Sequence, residues 1–181
     1  MTIAGLIAAA GLGRRAGGPK AVRIAPEDPR TFLGRSVAAM RSYGCDPVVA
    51  VVRPEHKDVA LRVGAEVVVP DPAPEAMIDS LRAGLEHLML RQAVDSVMWA
   101  PVDCPRALEF FARSGPRPED LDGSTPLVAG YQGRPGHPVL LPRSFWGRLE
   151  APEVQEQGAR AMLWDALILD LGLECLENRN T

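Results

Sequence analysis

Residues 3–9, IAGLIAA, form a short apolar run that empties directly into Gly11-Leu12-Gly13-Arg14-Arg15-Ala16-Gly17-Gly18-Pro19-Lys20. A run this brief and apolar throughout reads as a strand buried on both faces, the habit of a parallel sheet covered by helices on either side. The four glycines and three cations that follow sit at the strand's carboxyl end, the edge where open parallel sheets bind ligands. Glycines let backbone N–H groups approach a polyphosphate with no Cβ in the way, and Arg15 and Lys20 offer a fork and a point charge to its oxygens.

The rest of the chain continues the alternation. From Thr31, TFLGRSVAAMRSYG sets Phe32, Leu33, Val37 and Met40 near helical spacing and stops at Gly44, a left-handed cap. Asp46-Pro47 introduces VVAVV (48–52), a short helix follows Pro54 and runs to Gly64, and EVVV (66–69) is another strand. Three prolines in PDPAP (70–74) exclude regular structure, whereas Met77, Leu81, Leu85 and Leu88 line one face of a helix over 77–90. SVMWA (96–100) is the next strand and ends at Pro101-Val102-Asp103. This order predicts a three-layer α/β/α fold around a mostly parallel, Rossmann-like sheet with right-handed crossovers.

Beyond residue 115, PLVAGY (126–131) and HPVLL (137–141) have no helix between them, so an antiparallel C-terminal part is expected, joined by a Gly/Arg/Pro turn. GARAMLWDALILDL (158–171) reads as a closing helix and LECLE (173–177) as an edge strand. No linker or repeat interrupts residues 1–181, which are read as one domain.

A net charge of -3 provides no global basic field, which disfavours nucleic acid and leaves phosphate binding to local groups. Cys45, Cys104 and Cys175 are odd in number and widely spaced, suggesting neither a disulfide framework nor a zinc site, and fit a reducing cytoplasm. The start, MTIAGLIAAAGLGRR, is apolar before it is basic, the reverse of a secretory signal, and no apolar run approaches about 18 residues. A soluble chain with no membrane partner is expected.

Spacing separates the phosphate-binding readings. A P-loop requires G-x-x-x-x-G-K-[ST], but Pro19 follows Gly18 and Ala21 stands where the metal-binding hydroxyl belongs. Gly11-x-Gly13-x-x-Ala16 matches a relaxed dinucleotide fingerprint, yet Gly17, Gly18 and Pro19 interrupt the helix that fingerprint needs, and the next strand ends at Arg53 rather than an acid. A plain surface loop must explain why glycines and cations gather at a functional edge.

The run from Ala9 to Lys20 resembles the A-A-G-x-[GS]-x-R-M-G-x-x-K signature of nucleotidyltransferases of the MobA-like group, which includes the molybdenum cofactor cytidylyltransferases. Ser80-Leu81-Arg82-Ala83-Gly84-Leu85, Pro101-Val102-Asp103-Cys104-Pro105 and Gly133-Arg134-Pro135-Gly136-His137-Pro138 follow in that group's order. The resemblance implies a nucleoside triphosphate held by Ala9, Ala10, Gly11, Gly13, Arg15, Gly17, Lys20 and Ser80, with Arg15, Lys20 and Asp103 catalytic. It implies magnesium on Asp103, His137 on the acceptor side, and transfer of a nucleoside monophosphate, CTP-derived by preference, to a phosphorylated acceptor such as molybdopterin. A molybdoenzyme partner is implied on the same ground, and a sugar-1-phosphate or other phospho-alcohol is the alternative acceptor.

Each residue also has a plainer reading. Asp103 suits a helix N-cap before Pro105, Ser80 a cap or a solvent-facing hydroxyl, Cys104 a small buried filler, and His56 and His87 the surface of helices. Where relatives carry G-D-x-G-A-R, this chain has Gln155-Glu156-Gln157-Gly158-Ala159-Arg160, so Glu156 is the candidate second metal ligand with an added methylene. It also lacks a D-x-D-T-P-E-D ending, and has Ala16 for the signature methionine. These departures admit a non-catalytic nucleotide-binding accessory domain as a further alternative.

Overall fold

The computed structural model describes residues 1–13 and 17–177. Strand β1 (Ile3–Ala8) leads into the glycine loop, a 3-10 turn at Lys20–Val22 and a small antiparallel hairpin, β2 (Ile24–Ala25) and β3 (Asp28–Thr31). Then come α1 (Phe32–Tyr43), β4 (Val48–Val51), α2 (Lys57–Arg62), β5 (Glu66–Val68), α3 (Met77–Met89), β6 (Ser96–Pro101) and α4 (Pro105–Ser114). The C-terminal part holds β7 (Leu127–Tyr131), β8 (Arg134–Pro142), α5 (Pro152–Gln157) and β9 (Leu167–Asp170).

Seven strands form one sheet in the order β5-β4-β1-β6-β8-β7-β9. Strands β5, β4, β1 and β6 are parallel, β8 alone is reversed, and β7 and β9 return to the first direction. The expected α/β/α architecture with an antiparallel insertion is therefore present. Strand β1 lies inside the sheet between β4 and β6, and nearly every side chain on it is buried, as its unbroken apolar run requires.

Local chemistry sets the helix ends. The Thr31 hydroxyl accepts from Gly34 N–H at 3.1 Å and starts α1, and Gly44 at φ 106° ends it, a conformation costly for a residue with a Cβ. The start of α3 is held by Asp79, whose carboxylate accepts the N–H groups of Glu75 and Ala76 at 3.2 and 2.9 Å. Leu81, Leu85 and Leu88 of α3 are buried, and such burial stabilises by about 2 kcal/mol per side chain. Gly84 lets α3 lie against β1, since a Cβ there would collide with the Leu6 side chain.

The core has two halves, one on each face of the sheet. Phe32, Leu33, Val37, Met40, Ala60, Leu108 and Phe111 bring α1, α2 and α4 onto one face. Leu81, Leu85, Leu88, Trp146, Leu149, Val154 and Met162 bring α3 and the C-terminal turns onto the other. Among the described residues no helix is long and apolar enough to cross a membrane.

Three expectations are corrected. Residues 158–171 are not one helix: a 3-10 stretch, Gly158–Leu163, precedes β9. The physical reason is the open edge of β7, whose backbone is satisfied by pairing Leu127–Gly130 with Leu167–Asp170. Residues 173–177 form no edge strand but a 3-10 turn, Leu173–Leu176, whose Cys175 is sealed in the core. The β7–β8 turn is Gln132-Gly133, with φ of 50° and 73° as a tight two-residue hairpin demands, so Arg134 and Pro135 lie within β8 rather than in the turn.

Candidate active site

From β1 the chain moves outward through β4 to β5, then returns to lay β6 on β1's other side. The carboxyl ends of β1 and β6 therefore flank a topological switch point, the crevice where doubly wound sheets take their ligands. Two segments rim it, the loop after Ala8 and the turn through Asp103.

The loop entrance is fixed by the backbone. Ala9 and Ala10 are buried; Ala9 N–H donates to the Val51 carbonyl at 2.9 Å, and Val102 N–H to the Ala8 carbonyl at 3.1 Å. Arg53, two residues past β4, donates Nε–H to the Ala10 carbonyl at 2.8 Å. The loop then folds on itself: Gly18 N–H donates to the Gly13 carbonyl at 3.2 Å, and a Cβ on Gly13, at φ 60°, would collide with the Gly18 carbonyl. Around Gly11, Gly17 and Gly18, in contrast, a Cβ would meet nothing within 4 Å among the described residues, which leaves their backbone open to a ligand there. Arg15 lies outside the described residues.

Lys20 and Asp103, 83 residues apart, meet across the crevice, with Lys20 Nζ 2.5 Å from Asp103 Oδ2. Both side chains are largely shielded, at 14% and 11% exposure, so their attraction is less screened than at a surface. The N-cap of α4 is Cys104, not Asp103, which is turned to the lysine instead. The second Asp103 oxygen takes the Cys104 thiol at 3.6 Å. Burial pushes that thiol far above its usual range, which fits a small buried filler rather than a nucleophile.

His137 enters from β8, and Trp99 from β6 pairs with Val139 of the same strand. Their rings stand edge to face, 5.8 Å between centroids and 86° between planes. Burial pushes the His137 imidazole down to about 4, against a weaker opposing pull from Asp103, so the ring is neutral at pH 7. Gly136 is needed next to it because a Cβ would strike the Cys175 carbonyl.

The other candidates are spread more widely. Ser80 is the fourth residue of α3 and buried; Asp79, not Ser80, caps that helix. Glu156 is exposed on α5 and makes no hydrogen bond or ion pair among the described residues. His56 is buried in a 3-10 turn rather than on the surface, and His87 is half-buried with Nε2 3.3 Å from Glu66 Oε2. Among the described residues no three His, Cys, Asp or Glu side chains gather as a ready metal cage.

Sequence reasoning missed Arg53, although a cation two residues after β4 at the sheet's carboxyl edge was a usable signal. It also missed Trp99, which reads as one apolar residue in a buried strand, and the Arg35 ion network beneath the β2–β3 hairpin. Arg35 grips Glu109 at 2.8 and 2.7 Å and reaches Glu27 and Asp28 at 3.5 and 3.7 Å.

A doubly wound sheet with an open glycine loop and a lysine–aspartate pair at its switch point defines an α/β enzyme that handles nucleotide phosphates. Residues 5–167 match the MobA-like NTP transferase domain, and the chain belongs to that family of nucleotidyltransferases. Over 124 residues, 63% of the chain, it is 35% identical to the bifunctional enzyme IspD/IspF of Erythrobacter litoralis, of whose length it spans 32%. Its fold is like that of Rv0371c from Mycobacterium tuberculosis, with a TM-score of 0.74 at 22% identity over all of this chain and 94% of that one. A manganese complex of Rv0371c superposes with a TM-score of 0.66 at 21% identity over 94% and 89% of the two chains. The 4-diphosphocytidyl-2C-methyl-D-erythritol synthase of Anaerococcus prevotii superposes with a TM-score of 0.71 at 12% identity, over 99% and 91% of the two chains.

Proposed function

We propose that this nucleotidyltransferase moves a cytidine monophosphate unit from CTP to a phosphorylated acceptor and releases pyrophosphate. The observation that carries the reading is the Lys20–Asp103 pair at the switch point, beside the open backbone of Gly11, Gly17 and Gly18. An acceptor phosphate oxygen attacks the α-phosphorus in line, the bond to the β-bridging oxygen breaks, and pyrophosphate carries away the electron pair. No side chain needs to become covalently attached; the chain positions the reactants and balances charge.

Backbone amides of residues 11–17, with Ala9, Ala10, Arg15 and Lys20, hold the triphosphate, and Ser80 lies toward the base or ribose. Lys20 is the point charge for oxygens that gain charge as the α–β bond breaks. His137 faces the acceptor as a neutral ring, which orients a phosphate without taking a proton from it.

A divalent cation, magnesium by this reading, fits the donor set. Asp103 offers a hard, shielded carboxylate, and Glu156, exposed and without a partner among the described residues, is the proposed second ligand. With no closed cage among the described residues, phosphate oxygens would complete the coordination, as magnesium sites in phosphoryl-transfer enzymes use substrate. When bound, the ion polarises the phosphoryl oxygens and offsets their charge. The manganese complex of the Rv0371c fold relative supports this choice of ion class.

Molybdopterin is the acceptor the motif resemblance favours, and with it a molybdoenzyme as eventual recipient in the cytoplasm. A phosphorylated polyol is favoured by a separate observation, the 35% identity to an IspD/IspF enzyme and the fold likeness to a synthase whose product is a cytidine diphosphate ester of methylerythritol. Thermal-shift titration of the four NTPs with magnesium, followed by pyrophosphate release with each acceptor, separates these cases. A response to GTP alone would overturn the cytidylyl preference, and release with only one acceptor class would select it.

A further inference from the structure

Among the described residues, five buried side-chain polar atoms lack hydrogen-bond partners, and two of them, Trp99 Nε1 and His137 Nδ1, belong to rings in edge-to-face contact. Native structures pair the great majority of such groups, so an orphan calls for a reason. These two are chemically complementary. An indole nitrogen can only donate, whereas a neutral imidazole has one bare nitrogen that accepts.

The backbone makes them neighbours. Trp99 is in register with Val139, and His137 lies two residues before Val139 on the same strand, a diagonal cross-strand relation within reach of aromatic side chains. Of the two imidazole nitrogens only Nδ1 is both enclosed and unpartnered. Nε2 is thus the nitrogen available to the acceptor that the proposed function sets beside His137.

We propose that Trp99 is a positioning residue for the acceptor: its indole N–H engages His137 Nδ1, after a small ring rotation or through one water, and holds the imidazole as its Nε2–H tautomer. The other tautomer would set the Nδ1–H against the indole N–H, two donors with no acceptor between them, so Trp99 disfavours it. The tautomer that remains presents an N–H to a phosphate oxygen of the acceptor. Neither residue makes or breaks a covalent bond. This inference rests on the reading that His137 faces the acceptor.

Trp99→Phe keeps an aromatic ring in place, removes the donor and leaves a small cavity. In the unliganded wild-type protein at pH 7, long-range 15N–1H spectra of histidine are expected to show His137 protonated on Nε2. In Trp99→Phe the two tautomers are expected to mix, while the melting temperature falls by only a few degrees, for one lost hydrogen bond and a small cavity. In pyrophosphate-release kinetics the acceptor KM is expected to rise about tenfold, with the NTP KM and kcat nearly unchanged, as loss of a ground-state contact predicts.

A wild-type protein protonated on Nδ1 would overturn the proposal, and this measurement needs neither a variant nor a substrate. An unchanged acceptor KM in Trp99→Phe would overturn it as well, leaving Trp99 a packing residue only. Loss of all pyrophosphate release from the wild type, with every NTP and acceptor, is the separate failure that would remove the functional reading.

Discussion

The guanidinium of Arg35 on α1 is bidentate to Glu109 on α4, at 2.8 and 2.7 Å, and is 3% exposed. The same guanidinium reaches Glu27 and Asp28 of the β2–β3 hairpin, and Arg106 of α4 adds a second link to Glu27 at 3.6 Å. The hairpin follows Lys20 and α4 follows Asp103, so these ion pairs tie together the two segments that carry the crevice pair. Removing Arg35 leaves the partly shielded Glu109 without its bidentate partner, a larger loss than at an exposed pair. Arg35→Met is therefore expected to lower unfolding free energy by about 3 kcal/mol in urea titrations. A change within about 0.5 kcal/mol, as for an ordinary surface substitution, would contradict a structural role for the network.

His137 gives stability a pH dependence. Its pKa falls from an ordinary 6.5 to about 4 on folding, so the folded protein holds the ring neutral while the unfolded chain takes a proton below 6.5. That contribution is complete above pH 6.5 and is lost as pH falls toward 4, to the extent of about 3 kcal/mol. His137→Asn cannot titrate, so urea titrations at pH 7 and pH 4.5 should differ less for the variant than for the wild type. Equal slopes for the two proteins would contradict burial of a neutral ring.

Two glycines of the first loop separate shape from access. Gly13 sits at φ 60° with the Gly18 carbonyl where a Cβ would go, whereas the space around Gly11 is open. Gly13→Ala is expected to disturb the loop itself, weakening nucleotide binding about tenfold or more and raising amide exchange at Gly18. Gly11→Ala is expected to leave exchange unchanged and to weaken nucleotide binding only, by filling space a phosphate approaches. Equal nucleotide affinity in both variants and the wild type would remove this loop from the binding site.

The features legible in the sequence are those with a local cause. Continuous burial wrote β1 and β4 as apolar runs, Thr31 and Gly44 marked both ends of α1, and the α3 leucines repeated at helical spacing. Strand β9 escaped because Leu167–Asp170 lie half-exposed at a sheet edge, where the pairing with β7 rather than any period in the residues decides the structure. The Lys20–Asp103 meeting could be expected from the order of motifs but not measured, since its partners are 83 residues apart. The Arg35 network left no signal for the same reason: its charges come from the hairpin, α1 and α4, and no spacing rule connects them.

The central claim concerns Asp103 and Lys20, and pyrophosphate release from CTP with magnesium and a phosphorylated acceptor tests it most directly. Asp103→Asn keeps the shape of the side chain but removes its charge, and kcat is expected to fall about 100-fold or more, with Lys20→Met falling by a comparable factor. Full pyrophosphate release by Asp103→Asn, at wild-type kcat and with the same acceptor, would contradict the account.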